Sequence, residues 1–271
     1  QNEQGMALAG VAYATARRAA RIMVATSSVG PGATNMVTAS AVAMANRLPL
    51  LILSGDSFRS RRQDPVLQQV EHFGDPTITV NDCFKPVTRY WDRITDPEQL
   101  MASLPQAVQT MLDPATRGPA FLGRPQDVQA EACDYPEVFF EERSWRIPRR
   151  LPDPREVEAA AKLLKTAKKP LIIAGGGVLY SRAEDALNAF AASRGIPVAE
   201  TTSGKTSVLD SHAHGVGLTG PTGSSAGNAL ALDADVVLCV GTRLQDFTTG
   251  SWSCFQDPDV RMISLNAAAF D

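Results

Sequence analysis

The sequence predicts an α/β protein of two doubly wound, mainly parallel sheets flanked by helices. Three observations point there. Runs at 50–53, 170–174 and 236–240 are apolar throughout, as strands buried on both faces are. Between such runs lie stretches of helical character, slim with alanine and glycine or apolar along one face. Residues 131–152 mix acids, aromatics and prolines without periodicity, which reads as a linker between two halves.

In the first half, residues 4–18 predict a helix kept narrow by Ala7, Ala9, Gly10, Ala12 and Ala14, so that it packs closely on a sheet. Ile22, Met23 and Val24 predict a buried strand that runs into Gly30-Pro31-Gly32. Glycines there allow a tight turn and a close backbone approach, Pro31 restricts it, and the next helix, 33–46, begins with unpaired N–H groups. A strand at 50–53 closes on Ser54-Gly55-Asp56. Residues 57–82 are irregular, with a short helix expected at 66–71. A strand at 84–91, a helix at 97–112 and a strand at 118–122 complete this half.

In the second half, Asp153 caps a helix at 154–167 whose apolar face carries Val157, Ala160, Ala161 and Leu164. A strand at 170–174 stops at Gly175-Gly176-Gly177, a helix at 183–194 ends on Gly195, and strands follow at 196–199, 236–240 and 262–265. The glycine triplet lacks the spacing of a dinucleotide fingerprint and has no acidic partner for a ribose.

Composition narrows the function. Hydrophobic residues make up 44% and charged residues 20% of 271, with a net charge of −3. No basic run tracks a nucleic acid, and Arg59, Arg61 and Arg62 read as a solvated loop. No stretch approaches the roughly 18 apolar residues of a membrane span. Cys83, Cys133, Cys239 and Cys254 are scattered, which suits a reduced, cytoplasmic chain and no zinc site. His212 and His214, two apart in a loop, are awkwardly placed for one metal, so no metal ligand is assigned.

Glu3 stands at the mouth of the first helix. Alone it would be a dipole-compensating or capping residue. However, Asn-Glu-Gln-Gly-Met-Ala at 2–7, followed by Ser-Val-Gly-Pro-Gly-Ala-Thr-Asn at 28–35, resembles the pyrimidine-binding domain of thiamine-diphosphate enzymes of the acetohydroxyacid synthase and pyruvate decarboxylase type. The resemblance implies that Glu3 is the cofactor's activator. A carboxylate bonded to the pyrimidine ring favours the imino tautomer that takes up the thiazolium proton. It implies further that Gly30, Pro31, Gly32 and Asn35 line the cofactor, and that Gln68 or Gln69 approaches it across a subunit interface.

On this resemblance, residues 1–130 are the pyrimidine-binding domain and 153–271 the central domain, for which no FAD is expected. The family's diphosphate-binding domain, with its Gly-Asp-Gly and a later asparagine holding Mg2+, is not found; Gly55-Asp56-Ser57 lacks the second glycine. The chain is therefore expected to be a piece truncated at both ends, without bound thiamine diphosphate or Mg2+ and without turnover. Its parent is expected to be a homodimer or homotetramer acting on a small keto substrate, with a second subunit supplying the diphosphate-binding domain. Residues 64–71, 81–90, 204–206, 217–220 and 241–251 are similar to a branch of the family that opens a cyclic 1,2-diketone by hydrolysis. A carboligase or 2-keto acid decarboxylase, and a non-catalytic nucleotide-binding module, are the competing readings.

Overall fold

A computed structural model describes residues 2–268; Gln1 and 269–271 lie outside the described residues. The chain divides into two compact units, Gln1–Pro148 and Arg149–Asp271.

In the first unit, Asn2 caps helix α1 (Glu3–Ala16) by accepting from the Gly5 N–H at 2.7 Å. The small residues have the expected use: a Cβ at Gly10 would come 2.8 Å from Leu50 Cδ1. Strand β1 (Val24–Ser27) starts later than expected and is not buried on both faces, Val24 being 51% exposed. The reason is its place at the edge of the sheet. The helix expected at 33–46 is broken in two, α2 (Pro31–Thr34) and α3 (Val37–Asn46). Strand β2 (Leu51–Asp56) follows.

Two expectations fail next. No helix forms at 66–71; the segment turns, with Gln68 and Val70 at left-handed φ and the Glu71 carboxylate accepting from the Val66 N–H at 2.6 Å. The first half of the strand expected at 84–91 belongs instead to a 3-10 helix, Val80–Val87, started by a capping box between Thr79 and Asp82. Only then does β3 (Tyr90–Arg93) begin. Helix α4 (Leu100–Leu112) and strand β4 (Ala120–Pro125) close the sheet, ordered β1-β2-β4-β3 and parallel throughout. Leu51, Ala120 and Leu122 pack against Ala107 and Met111 of α4, while Phe121 stacks on Phe84 with centroids 4.4 Å apart. Each such fully buried large side chain contributes about 1.5–3 kcal/mol. The stretch read as a linker carries a short 3-10 turn, Glu137–Phe140, where Tyr135, Phe139 and Phe140 form an aromatic cluster.

In the second unit, Asp153 caps α5 (Pro154–Thr166), and β5 (Pro170–Ala174) leads into α6 (Gly176–Ser181), which the sequence reading missed. Helix α7 (Glu184–Arg194) ends on Gly195, followed by β6 (Val198–Glu200), β7 (Gly215–Leu218), α8 (Ser225–Asp233), β8 (Val236–Val240), α9 (Asp246–Thr249) and β9 (Arg261–Leu265). The parallel order β7-β6-β5-β8-β9 is that of a doubly wound sheet, its two faces filled from alternate residues of β5: Ile172 and Ala174 on one, Leu171 and Ile173 on the other. Close backbone approach accounts for the glycine triplet. A Cβ on Gly175 would lie 2.3 Å from Gly241 O, and one on Gly177 2.6 Å from Gly241 Cα.

Candidate active site

The sequence-predicted residues of the first unit gather at the carboxyl end of its sheet, where the loops after β1 and β2 meet the start of α1. Asn35, 32 residues from Glu3 in sequence, donates its amide Nδ2 to Glu3 Oε2 at 2.8 Å. Both side chains are half-buried. The Asn35 hydrogen bond, with one from Glu3's own backbone, holds this carboxyl below the usual glutamate range against a smaller opposing effect of burial. Glu3 therefore stands ionised and oriented near neutral pH.

Of the glycine turn, Gly32 lies beside that carboxylate and Gly30 against the 68–70 backbone. Gly30 has φ 74° and ψ −127°, a conformation that favours glycine. A Cβ there would lie 1.7 Å from Gln68 O. At Gly32 it would lie 2.8 Å from Ser28 Oγ and 3.6 Å from Glu3 Oε1, so the missing side chain leaves the carboxylate open on that side. Pro31 begins α2 and is exposed. The unpaired helix-start donors expected here are short-lived: after one turn the Thr34 and Asn35 N–H groups bond Gly30 O and Pro31 O.

Gln68 and Gln69 have different surroundings. The Gln68 side chain is exposed while its carbonyl faces Gly30. Gln69 is 2% exposed; its Oε1 accepts from the Phe58 N–H at 3.0 Å and its Nε2 donates to Asp64 Oδ1 at 2.7 Å. Its oxygen and one of its N–H groups are thus engaged within the chain.

A charged chain missed in the sequence lies beyond β2. Asp56, completely buried, accepts from Arg93 Nε at 2.8 Å; Arg93 Nη2 donates to Asp82 at 2.8 Å, and Asp82 pairs with Lys85 at 2.6 Å. Burial pushes the Asp82 carboxyl up, but Lys85, the Thr79 N–H and Arg93 outweigh it and lower it overall. Lys85 and Arg93 both stand over the Trp91 ring, at 4.5 and 5.0 Å. The Asp82–Lys85 spacing was the one visible signal. Asp56, read as a superficial likeness to a metal motif, instead serves this pairing.

Among the described residues no three His, Cys, Asp or Glu side chains come together as a metal site. The His212 and His214 rings are 5.6 Å apart, and the His214 N–H donates to His212 Nδ1 at 3.3 Å. All four cysteines are free, with burial raising the Cys239 thiol to about 12. No helix among the described residues is long and apolar enough to cross a membrane.

An ionised carboxylate oriented by an amide, beside a glycine that adds no side chain of its own, suits an aminopyrimidine. Residues 1–75 match the thiamine pyrophosphate enzyme N-terminal TPP binding domain, and residues 157–271 match the thiamine pyrophosphate enzyme central domain. Together the two matches take in well over half of the chain, which belongs to the thiamine pyrophosphate enzymes. Within that family it is 50% identical over 270 residues to a 3D-(3,5/4)-trihydroxycyclohexane-1,2-dione hydrolase of Clostridium perfringens and 46% identical over 270 residues to one of Bacillus thuringiensis, each covering 100% of this chain. Over 266 residues, 98% of this chain, it is 48% identical to that of Geobacillus thermodenitrificans. The chain spans 42% of the length of each of these relatives.

Proposed function

We propose that this chain forms the pyrimidine-facing half-site of a thiamine diphosphate-dependent hydrolase that opens the ring of trihydroxycyclohexane-1,2-dione in myo-inositol catabolism. The observation that carries this is the Glu3–Asn35 pair against the Gly30-Pro31-Gly32 turn, in a chain half identical to such hydrolases. Thiamine diphosphate, when bound, supplies a carbon nucleophile for a carbonyl. Glu3 holds or releases a proton at its carboxylate toward the pyrimidine ring nitrogen. Asn35 fixes the orientation of Glu3, and Gly30 and Gly32 keep the backbone low enough for the ring to approach. Of the two glutamines, Gln68 is the one with an amide left to reach beyond its own chain. In the net reaction the bond between the two carbonyl carbons breaks, and one water supplies a hydroxyl to one carbon, giving an acid, and a hydrogen to the other, giving an aldehyde.

On this reading residues 1–130 are the pyrimidine-binding domain and 153–271 the central one, which holds no FAD. Mg2+ and the diphosphate are held by a second subunit of a cytoplasmic homodimer or homotetramer. The test is hydrolysis of the diketone by the longer protein with thiamine diphosphate and Mg2+, beside Glu3→Gln. Loss of general acid–base help is expected to lower turnover by about 10²-fold or more. Undiminished turnover in Glu3→Gln would refute the role of Glu3; joining of 2-keto acids without hydrolysis would refute the substrate.

A further inference from the structure

The segment from Phe58 to Glu71 leaves the end of β2, forms neither helix nor strand, and returns to the glycine turn. One side chain holds it from within. The Gln69 amide accepts from the Phe58 N–H and donates to Asp64, tying residues 58, 64 and 69 together. On either side of it, Gln68 and Val70 have left-handed φ of 65° and 57°. A β-branched residue keeps that conformation only where its surroundings hold it there.

This constrained backbone presses on the candidate site. A Cβ at Gly30 would lie 1.7 Å from Gln68 O and 3.3 Å from Val70 Cγ2, so the turn and the segment are in close contact. From Gly30 the path to the carboxylate is short: Gly30 O accepts from the Thr34 N–H at 3.0 Å, Pro31 O from the Asn35 N–H at 3.1 Å, and Asn35 Nδ2 donates to Glu3.

We propose that Gln69 is a positioning residue, whose buried amide seats the backbone of 68–70 against Gly30 and thereby sets the place of the Gly30-Pro31-Gly32 turn and of the Asn35–Glu3 pair. Both polar atoms of Gln69 are bonded inside the segment, so it acts through the turn and not on a ligand. Its catalytic meaning rests on the cofactor reading above, but the contact itself does not. It is therefore tested on this chain without any cofactor.

The experiment is amide hydrogen exchange, followed at Thr34, Asn35 and Met36, with helix α4 as an internal control. Gln69→Glu keeps an acceptor for Phe58 but sets a second carboxylate against Asp64. It is expected to speed exchange at 34–36 by about tenfold or more, the factor that 1.4 kcal/mol gives, while α4 is unchanged. Asp64→Asn with Gln69→Glu restores a donor–acceptor pair in the opposite sense, and exchange returns to the wild-type rate. A role in general stability would instead speed exchange in α4 together with 34–36. If Gln69→Glu does not fold, seen as faster exchange in α4 too, Asp64→Ala removes only the acceptor and is expected to give the same local opening. Opening confined to 58–71 with 34–36 unchanged, or no rescue in the double variant, would overturn the proposal and leave the cofactor reading standing.

Discussion

Two glycines test the contact between the glycine turn and the 68–70 backbone by a matched pair of substitutions. Gly30 and Gly195 both have positive φ, 74° and 64°. A Cβ at Gly195 meets nothing within 4 Å. Gly195→Ala therefore carries only the left-handed penalty, roughly 1–2 kcal/mol. At Gly30 the backbone conformation alone costs an alanine roughly 1–3 kcal/mol. Its Cβ would also lie 1.7 Å from Gln68 O and 2.8 Å from Gln68 C, both backbone atoms. Ordinary carbon–oxygen contacts begin near about 3.3 Å, so one side must retreat by roughly 1.5 Å. Overlap of that kind adds about 1–3 kcal/mol. Gly30→Ala is thus expected to exceed Gly195→Ala by at least about 1 kcal/mol. Urea unfolding read by tryptophan fluorescence separates the units: in a Trp252→Phe background Trp91 and Trp145 report on the first, and in a Trp91→Phe, Trp145→Phe background Trp252 reports on the second. Equal destabilisation by the two substitutions would show that the turn does not rest on Gln68, and the positioning role of Gln69 would fall with it.

Asn35→Ala is expected to raise the Glu3 carboxyl toward the ordinary glutamate value of about 4.3, because the Asn35 hydrogen bond is the largest cause of its lowering. The sign follows: the stabilisation from this pair is full above that ordinary value and is lost as pH falls through the lowered one. Side-chain carbon NMR of Glu3 through an acid titration checks it, and an unmoved midpoint would deny the hydrogen bond. Arg93→Met leaves the completely buried Asp56 carboxylate without its cation, and by the rule for breaking such pairs costs about 3–5 kcal/mol in urea unfolding. A loss below about 1 kcal/mol, the range of exposed pairs, would mean that the pair is solvated. Glu131→Gln removes the carboxylate that pairs with Arg59 at the surface, and is expected to change stability by less than about 1 kcal/mol.

What could be read from the sequence depended on how local its cause was. Strands β5 and β8 lie where their apolar runs predict, because burial on both faces writes itself into consecutive residues. Helix α5 was legible from Asp153 and its apolar spacing. The 3-10 helix at Val80–Val87 was mistaken for the next strand because Phe84, Val87, Tyr90 and Trp91 suit a pleat; Thr79 and Asp82 carried the contrary signal. At the site, Glu3 and the glycines stood out as a motif, whereas the Glu3–Asn35 bond joins residues far apart in the chain. The inward turn of Gln69 was not legible, since positive φ at Gln68 and Val70 belongs to residue types that rarely adopt it.

Both sheets are parallel, and this has a consequence for the order in which the chain is made. Strand β2 pairs Ile52 with Phe121 of β4, which leaves the ribosome much later. At 5–20 residues per second the interval is roughly 3–14 s. During it, 50–53, among the most apolar strands of the chain, has β1 beside it and nothing on its other edge. The centre of the first sheet is thus the part of this unit that waits longest for its neighbour, and the part where a nascent chain most needs shielding from others like it.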